Sequence, residues 1–222
     1  MGTVDNKSFH GQYIQEGMTV LDIGANIGYY SLLAAKNVGL HGQLYSFEAN
    51  PEVCELLHNN VEINGLLQNT TIVNKAVFSE NGTITFNVFE KHQGSSSIFV
   101  DEKTASEFND SLKRITVETI TIDSMFKDKK VDFIKIDAEG AEPYILKGAE
   151  NTLRKNKNIA LMMEWSPTLL DKPDYKLKEF FDYIISLEFK FFIINHDSTL
   201  KASSFDDLMK ITHCDVILKR VL

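Results

Sequence analysis

The sequence predicts an α/β protein built on a mostly parallel sheet. Three observations carry this: short apolar runs alternate with helical stretches, the first run ends in a glycine-bearing turn, and an acid closes the second run about 20 residues beyond that turn. At 222 residues the chain is shorter than the length at which cores usually split, so one domain over residues 1–222 is expected. Its 43% hydrophobic and 24% charged content is ordinary for a globular chain and excludes a disordered one.

The first strand is read at Thr19 to Gly24, with a helix from Tyr29 to Asn37 after the turn. Gln43 to Glu48 is the second strand. Asn50-Pro51-Glu52 then offers a cap, a first-turn proline and a favourable acid for the second helix. Val53, Leu56, Leu57 and Val61 share one face of that helix, and Gly65 predicts its end near Asn64. A third strand at Thr71 to Val73 leads into Ala76-Val77. Gly82 to Phe89 and Arg114 to Ile122 alternate like antiparallel strands, so an insertion is expected over about residues 78–126. Between them Gly94 to Ser97 is a small polar stretch suited to the rim of a site, with Ser95, Ser96 and Ser97 as acceptor contacts.

The βα alternation resumes with a fourth strand at Val131 to Asp137, a Gly140 turn and a helix through about Leu153. Ile159 to Trp165 is the fifth strand, and Leu177, Phe180, Phe181, Ile184 and Ile185 place an apolar stripe on the helix after it. Phe189 to Asn195 and Cys214 to Val221 are the last two strands.

A formal charge of −8 opposes a polyphosphate backbone, and no block of Lys and Arg overcomes it locally, so nucleic acid is not an expected partner. No apolar run approaches membrane-spanning length and the first residues are polar, giving an expected cytoplasmic address. Asn6 stands where a myristoylation signal requires Ser or Thr. Cys54 and Cys214 are far apart and have no metal-like spacing with the histidines, so reduced thiols and no metal are expected.

In a parallel sheet the ligand site lies beyond the carboxyl ends of the strands, where the first turn falls. In Asp22-Ile23-Gly24-Ala25-Asn26-Ile27-Gly28 the glycines permit close backbone approach, and the helix start offers N–H groups to an anion. A dinucleotide turn requires glycine where this chain has Asn26, which disfavours NAD. S-adenosylmethionine has no pyrophosphate. Asp22 can attract its ammonium, the helix amides its carboxylate, and Glu48 both ribose hydroxyls. The bland alternative is a tight βα connection with a solvated Glu48.

VLDIGANIGYYSLLAA (Val20 to Ala35), YSFEANP (Tyr45 to Pro51) and VDFIKIDAEGAEPYILKGAE (Val131 to Glu150) together resemble the FkbM family of methyltransferases over about residues 12 to 165. The resemblance implies a Rossmann-like class I methyltransferase fold, with seven strands in the order 3-2-1-4-5-7-6, a reversed last strand and helices on both faces. It implies S-adenosylmethionine as methyl donor, S-adenosylhomocysteine as product, and a hydroxyl of a sugar, glycan or small natural product as acceptor. Asp22, Gly24, Asn26 and Gly28 would line the methionine part, Glu48 the ribose and Lys75-Ala76-Val77 the adenine, with Ala25 and Asn50 also expected in the donor site. The chain starts shortly before the first motif, so an N-terminal extension found in some relatives is expected to be missing, and the chain can be one domain of a larger enzyme.

A hydroxyl is a poor nucleophile near neutral pH, so a carboxylate or imidazole should accept its proton. Asp137 and Glu139 are the first candidates. Asp137 can instead hold the donor's ammonium, and Glu139 can cap the next helix. Glu164, at the end of an apolar strand, should face a pocket or pair with Lys135. Trp165 can wall the acceptor site or belong to the core, and His196 is left outside the set. Two further readings stay open: a catalytically idle donor-binding module, and a nucleotide-dependent oxidoreductase.

Overall fold

The computed structural model describes residues 13–91, 97–99, 109–171, 176–195 and 197–221. The chain opens as β1 (Thr19–Ile23), α1 (Tyr29–Val38), β2 (Gln43–Phe47), α2 (Pro51–Ile63) and β3 (Thr70–Val73). Asn50 caps α2 by accepting from the Glu52 amide, and Gly65 at φ 70° turns the chain away beyond the helix. Leu56, expected on the buried face of α2, is 49% exposed, whereas Val53, Leu57 and Val61 are buried.

The chain then leaves the main sheet. β4 (Ala76–Val77), β5 (Gly82–Phe89) and β6 (Leu112–Ile120) form a separate three-stranded sheet in the order β4-β6-β5, with β5 and β6 antiparallel. β6 ends two residues before its predicted limit because the Thr121 hydroxyl accepts from the Ser124 amide and starts a short helix, α3 (Ile122–Met125).

β7 (Phe133–Ile136) re-enters the main sheet beside β1. The single helix predicted after it is two: α4 (Glu142–Lys147) and α5 (Glu150–Lys155). The break falls at Gly148, where a Cβ would stand 2.1 Å from the carbonyl oxygen of Phe78, so the inserted segment packs directly on bare backbone. β8 (Ala160–Trp165), α6 (Pro167–Leu170), α7 (Leu177–Ser186), β9 (Lys190–Ile194), β10 (Leu200–Ser203), α8 (Phe205–Leu208) and β11 (Cys214–Lys219) complete the chain. Of the stripe on α7, Leu177, Phe180 and Ile184 are buried, while Ile185 is 44% exposed.

The main sheet has eight strands in the order β10-β9-β11-β8-β7-β1-β2-β3. β11 runs antiparallel to both β8 and β9, as the reversed last strand requires. Without β10 this is the predicted seven-strand order. The eighth strand arises from a tight turn with Ser198 at φ 63°, where the Asn195 amide donates to the Thr199 carbonyl and folds Leu200 to Ser203 back onto β9.

Every residue of β7 is buried. Ile134 and Ile136 join Leu21, Leu161, Met163 and Trp165 on one face, and Phe133 joins Val20, Leu44, Met162 and Ile217 on the other. No helix among the described residues is long and apolar enough to cross a membrane. Placing a methyl group at Gly148 would press it into the Phe78–Ser79 backbone. Gly148→Ala is therefore expected to destabilise the fold by about 1–3 kcal/mol or more, read as a lower denaturant midpoint, and an unchanged midpoint would contradict the packing.

Candidate active site

The site follows from strand register. Ser46 on β2 lies beside Asp22 on β1, which lies beside Lys135 on β7, which lies beside Met162 on β8. Their side chains therefore share one face of the sheet at its carboxyl edge. The Lys135 ammonium, 7% exposed, stands 3.4 Å from Asp22 Oδ1, 3.3 Å from Asp137 Oδ2 and 3.1 Å from the Gly24 carbonyl oxygen. Burial lowers its proton affinity, but Asp22 and Asp137 more than offset that, and its pKa is raised. The Tyr30 ring lies 5.0 Å from the ammonium, and its hydroxyl reaches Met162 Sδ at 3.9 Å.

Next to this row opens a cavity of about 420 Å³, within the roughly 300–1,000 Å³ range of small-molecule sites. Its floor is the β1 turn (Gly24, Ala25, Asn26) and Glu48. One end carries Lys75, Ala76 and Val77, and Asp137 and Glu139 from the turn after β7 also line it. Phe78, Ile84, Phe86 and Ile98 roof it with apolar side chains of the inserted segment, and Ile27, Tyr29 and Tyr30 complete the wall.

Glu48 is almost fully buried, and each of its carboxylate oxygens already takes one backbone N–H: Oε2 from Asn26 at 2.9 Å, Oε1 from Asn50 at 2.8 Å. Burial raises its pKa against these two donors. A carboxylate oxygen has two lone pairs, so a second acceptor position remains on each, matched to a pair of neighbouring hydroxyls. The Asn74 side chain holds the Glu48 carbonyl at 2.8 Å and fixes the strand end.

Several residues expected at the ligand stand behind the wall. Asp22 is 1% exposed and off the cavity surface: its Oδ2 accepts from the Ser31 hydroxyl at 2.6 Å, and Oδ1 faces Lys135. Gly28 is needed for packing, since a Cβ at its φ of 96° would come within 2.6 Å of Leu57 Cδ1 on α2. Gly24 lines the cavity, but its bare α-carbon also admits the Asp137 carbonyl, which a Cβ would approach to 1.9 Å. Asn50 is off the cavity lining: its Oδ1 caps α2 and its backbone N–H holds Glu48, while its buried Nδ2 has no partner among the described residues. The turn amides are spent internally: Gly24 and Ala25 donate to the Phe47 carbonyl, Asn26 to Glu48, Ile27 to the Asn26 side chain and Gly28 to Ala25.

Trp165 is fully buried against Phe180 and Phe191 and is not part of the cavity lining. Glu164 pairs with His213 at 3.0 Å rather than with Lys135, whose ammonium Asp22 and Asp137 already hold. Ser97 is buried, its hydroxyl spent on the Glu139 carbonyl. Ser95, Ser96 and His196 lie outside the described residues.

The turn after β7 is the most constrained part of the site. Glu139 has φ 51° and Gly140 φ 97°, two successive left-handed residues. A left-handed non-glycine residue costs about 1–3 kcal/mol, and such strain gathers at active sites. Burial, with the Asp137 charge adding to it and Lys135 opposing, pushes the Glu139 carboxyl up to about 7. Among the described residues no hydrogen bond or ion pair engages that carboxyl. Burial likewise pushes Glu142, whose Oε1 accepts from the Ala138 amide, up to about 7, and Glu164 up to about 8.

An acid at the end of β2, an apolar slot beside β4 and a carboxylate turn after β7 fit a nucleoside bearing an amino-acid tail. The family model described as the methyltransferase FkbM domain matches residues 22–213, most of the chain. The chain belongs to the FkbM methyltransferase family. It is an S-adenosylmethionine-dependent methyltransferase. The methyltransferase sdnD of Sordaria araneosa is 23% identical over 174 residues, covering 67% of this chain and 67% of that protein. Among solved structures, an S-adenosylmethionine-dependent O-methyltransferase of Thermotoga maritima superposes with a TM-score of 0.54 at 16% identity, covering 100% of this chain and 67% of that one. A protein of Streptococcus mutans crystallised with S-adenosylhomocysteine gives 0.52 at 8% identity, covering 100% and 99%. At these identities the structural likeness concerns the fold.

Sequence motifs alone miss Lys135 as the centre of the site, although its place on β7 two residues before Asp137 lets the two side chains meet at the strand's end. They also miss the roof, which the alternation of Ile84 and Phe86 signals. His213 has no signal of its own in the sequence, because its partner Glu164 is reached only through strand pairing.

Glu139, Glu142 and Glu164, the carboxyls raised to about 7 or 8, give a pH dependence of stability. Their folded pKa values lie above the ordinary 4.5, so the folded state holds protons that the unfolded chain releases. Their contribution is fully present below about pH 4.5 and is lost as the pH rises through about 7 to 8. The unfolding midpoint is expected to fall between mildly acidic and mildly alkaline buffer, and Glu142→Gln to flatten the fall. A midpoint that rises over that range would contradict the burial of these acids.

Proposed function

We propose that this enzyme transfers the methyl group to a hydroxyl oxygen of a sugar, glycan or small natural product, with Glu139 accepting the hydroxyl proton, on a single domain. The observation that carries the reading is the Glu139 carboxyl: it lies on the cavity wall, unengaged among the described residues, with a pKa of about 7. A base near neutrality combines the deprotonated state with useful proton affinity at working pH. The acceptor class rests on resemblance to FkbM enzymes and on the oxygen specificity named for the Thermotoga maritima protein.

When bound, the donor supplies an electrophilic methyl group on a positively charged sulfur. The chain's own contribution is alignment, exclusion of water and proton acceptance. Glu48 takes the ribose hydroxyls, and Ala76, Val77 and Phe78 form the apolar adenine slot. Asp137, fixed by Lys135, faces the donor's ammonium. With the turn amides spent internally, the donor's carboxylate falls to the first turn of α1, beside Tyr29 and Tyr30. Ile84, Phe86 and Ile98 keep the reacting atoms dry.

Two measurements test this. Removing the Glu48 carboxylate deletes two charge-assisted hydrogen bonds, so Glu48→Ala should weaken donor and product binding in calorimetry by about tenfold or more. Glu139→Gln should lower kcat by roughly 10²- to 10⁴-fold on a hydroxylated acceptor while leaving donor affinity near its original value. Undiminished turnover in Glu139→Gln would remove the base from the proposal. Methyl release from a panel of sugars and hydroxylated small molecules would identify the acceptor.

A further inference from the structure

The inserted sheet reaches the Asp137–Gly140 turn through the side chain of Ser97. Ser97 is 2% exposed, and its backbone N–H and carbonyl exchange hydrogen bonds of 3.1 Å with Asn87 of β5. Its hydroxyl donates to the Glu139 carbonyl oxygen at 2.9 Å and accepts from the Phe99 amide at 3.2 Å. Ser97 thus adds a short rung to the sheet that carries Ile84 and Phe86, and its neighbour Ile98 lines the same cavity. At the other end of the bond stands Glu139 in its left-handed conformation, with Gly140 following at φ 97°. A residue in that conformation persists only where surrounding contacts over-determine it. The contacts here are Ala138 with Glu142 on one side of the turn and Ser97 with Glu139 on the other.

We propose that Ser97 is a positioning residue for methyl transfer: its hydroxyl holds the Glu139 carbonyl, and with it the direction of the Glu139 carboxyl, against the sheet that roofs the cavity. The role as positioning residue rests on Glu139 being the proton acceptor, whereas the hold on the carboxyl's surroundings does not. Glu139 feels Asp137 and Lys135 from β7 and its turn, and it in turn raises Glu142 at the start of α4 and Glu164 at the end of β8. Release of the turn lets the carboxyl leave the roof for water while those four groups stay in place.

The full-length chain serves for the test, with Ser97→Ala, Ser97→Thr and, as a near-isosteric fallback, Ser97→Cys. Carbon-detected NMR titration of the glutamate side-chain carboxyls, with Glu139 assigned by its disappearance in Glu139→Gln, reads its midpoint directly. In Ser97→Ala the midpoint should move from about 7 toward the ordinary 4.5, and Ser97→Thr should restore it. On a turned-over acceptor, kcat should drop by roughly tenfold to a hundredfold in Ser97→Ala with the donor KM within about twofold, because misplacement of a reacting group costs rate rather than donor affinity. The acid limb of the kcat profile should shift with the NMR midpoint. If Ser97→Ala unfolds, Ser97→Cys carries the same expectations, since its thiol is a weak donor. An unmoved Glu139 midpoint in a folded variant would overturn the inference. If Glu139→Gln kept full turnover while Ser97→Ala still moved the midpoint, the base assignment would fail and the hold on the turn would stand.

Discussion

The buried ammonium of Lys135 is the constraint on which the rest of the site depends. Taking a charge out of water costs several kcal/mol even after relaxation, so a lysine at this depth is tolerable only with acids and a carbonyl around it. Register supplies them: Asp22 is its direct neighbour on β1, Asp137 lies two residues on along its own chain, and the Gly24 carbonyl closes the shell. The carbonyl can come so near only because the β1 and β7 turns touch, and they touch only because position 24 has no side chain. The glycine turn, read alone as a ligand cradle, is therefore first a contact between two strand ends.

That arrangement divides labour between two acids. Asp137, held by Lys135, presents its charge at the cavity wall, and that charge in turn disfavours a second carboxylate beside it. Glu139 is that second acid, and burial under the inserted sheet is the larger part of the effect. A lysine-paired carboxylate and a titrating one thus stand within a single turn.

How much of this is legible in the sequence depends on whether local pattern or strand pairing decides the feature. The parallel strands announce themselves as apolar runs bounded by turns, and the α2 boundaries follow from Asn50 and Gly65, because caps and left-handed glycines act within a few residues. The α/β alternation is accordingly readable from the residues alone, whereas the strand order and the reversed last strand come with the family resemblance. Asp22 escapes such a reading for the opposite reason: its acid chemistry suits an ammonium, but the ammonium it meets belongs to Lys135 on another strand, far along the chain. Trp165 reads equally as wall or core, and only the packing of Phe180 and Phe191 decides. The break at Gly148 depends on the Phe78 backbone, and β10 on a turn whose strand, Leu200 to Ser203, lacks strong β-formers.

The inserted sheet links these two levels. An antiparallel hairpin with β4 at its edge contributes little that resembles a nucleotide fold, yet it supplies Ile84, Phe86 and Ile98 to the cavity and Ser97 to the turn. The spent amides of the β1 turn leave no cradle for a pyrophosphate, which weakens the oxidoreductase reading on structural grounds independent of the family match. What remains on the cavity surface among the described residues is one acid with an acceptor position left on each oxygen, one acid held by a lysine, and one acid with a raised pKa under an apolar cover. An idle binding module would have use for the first two. The third brings cost without affinity, since it sits in a left-handed backbone and loses stability as it ionises, and that cost is what the proposed proton acceptance would account for.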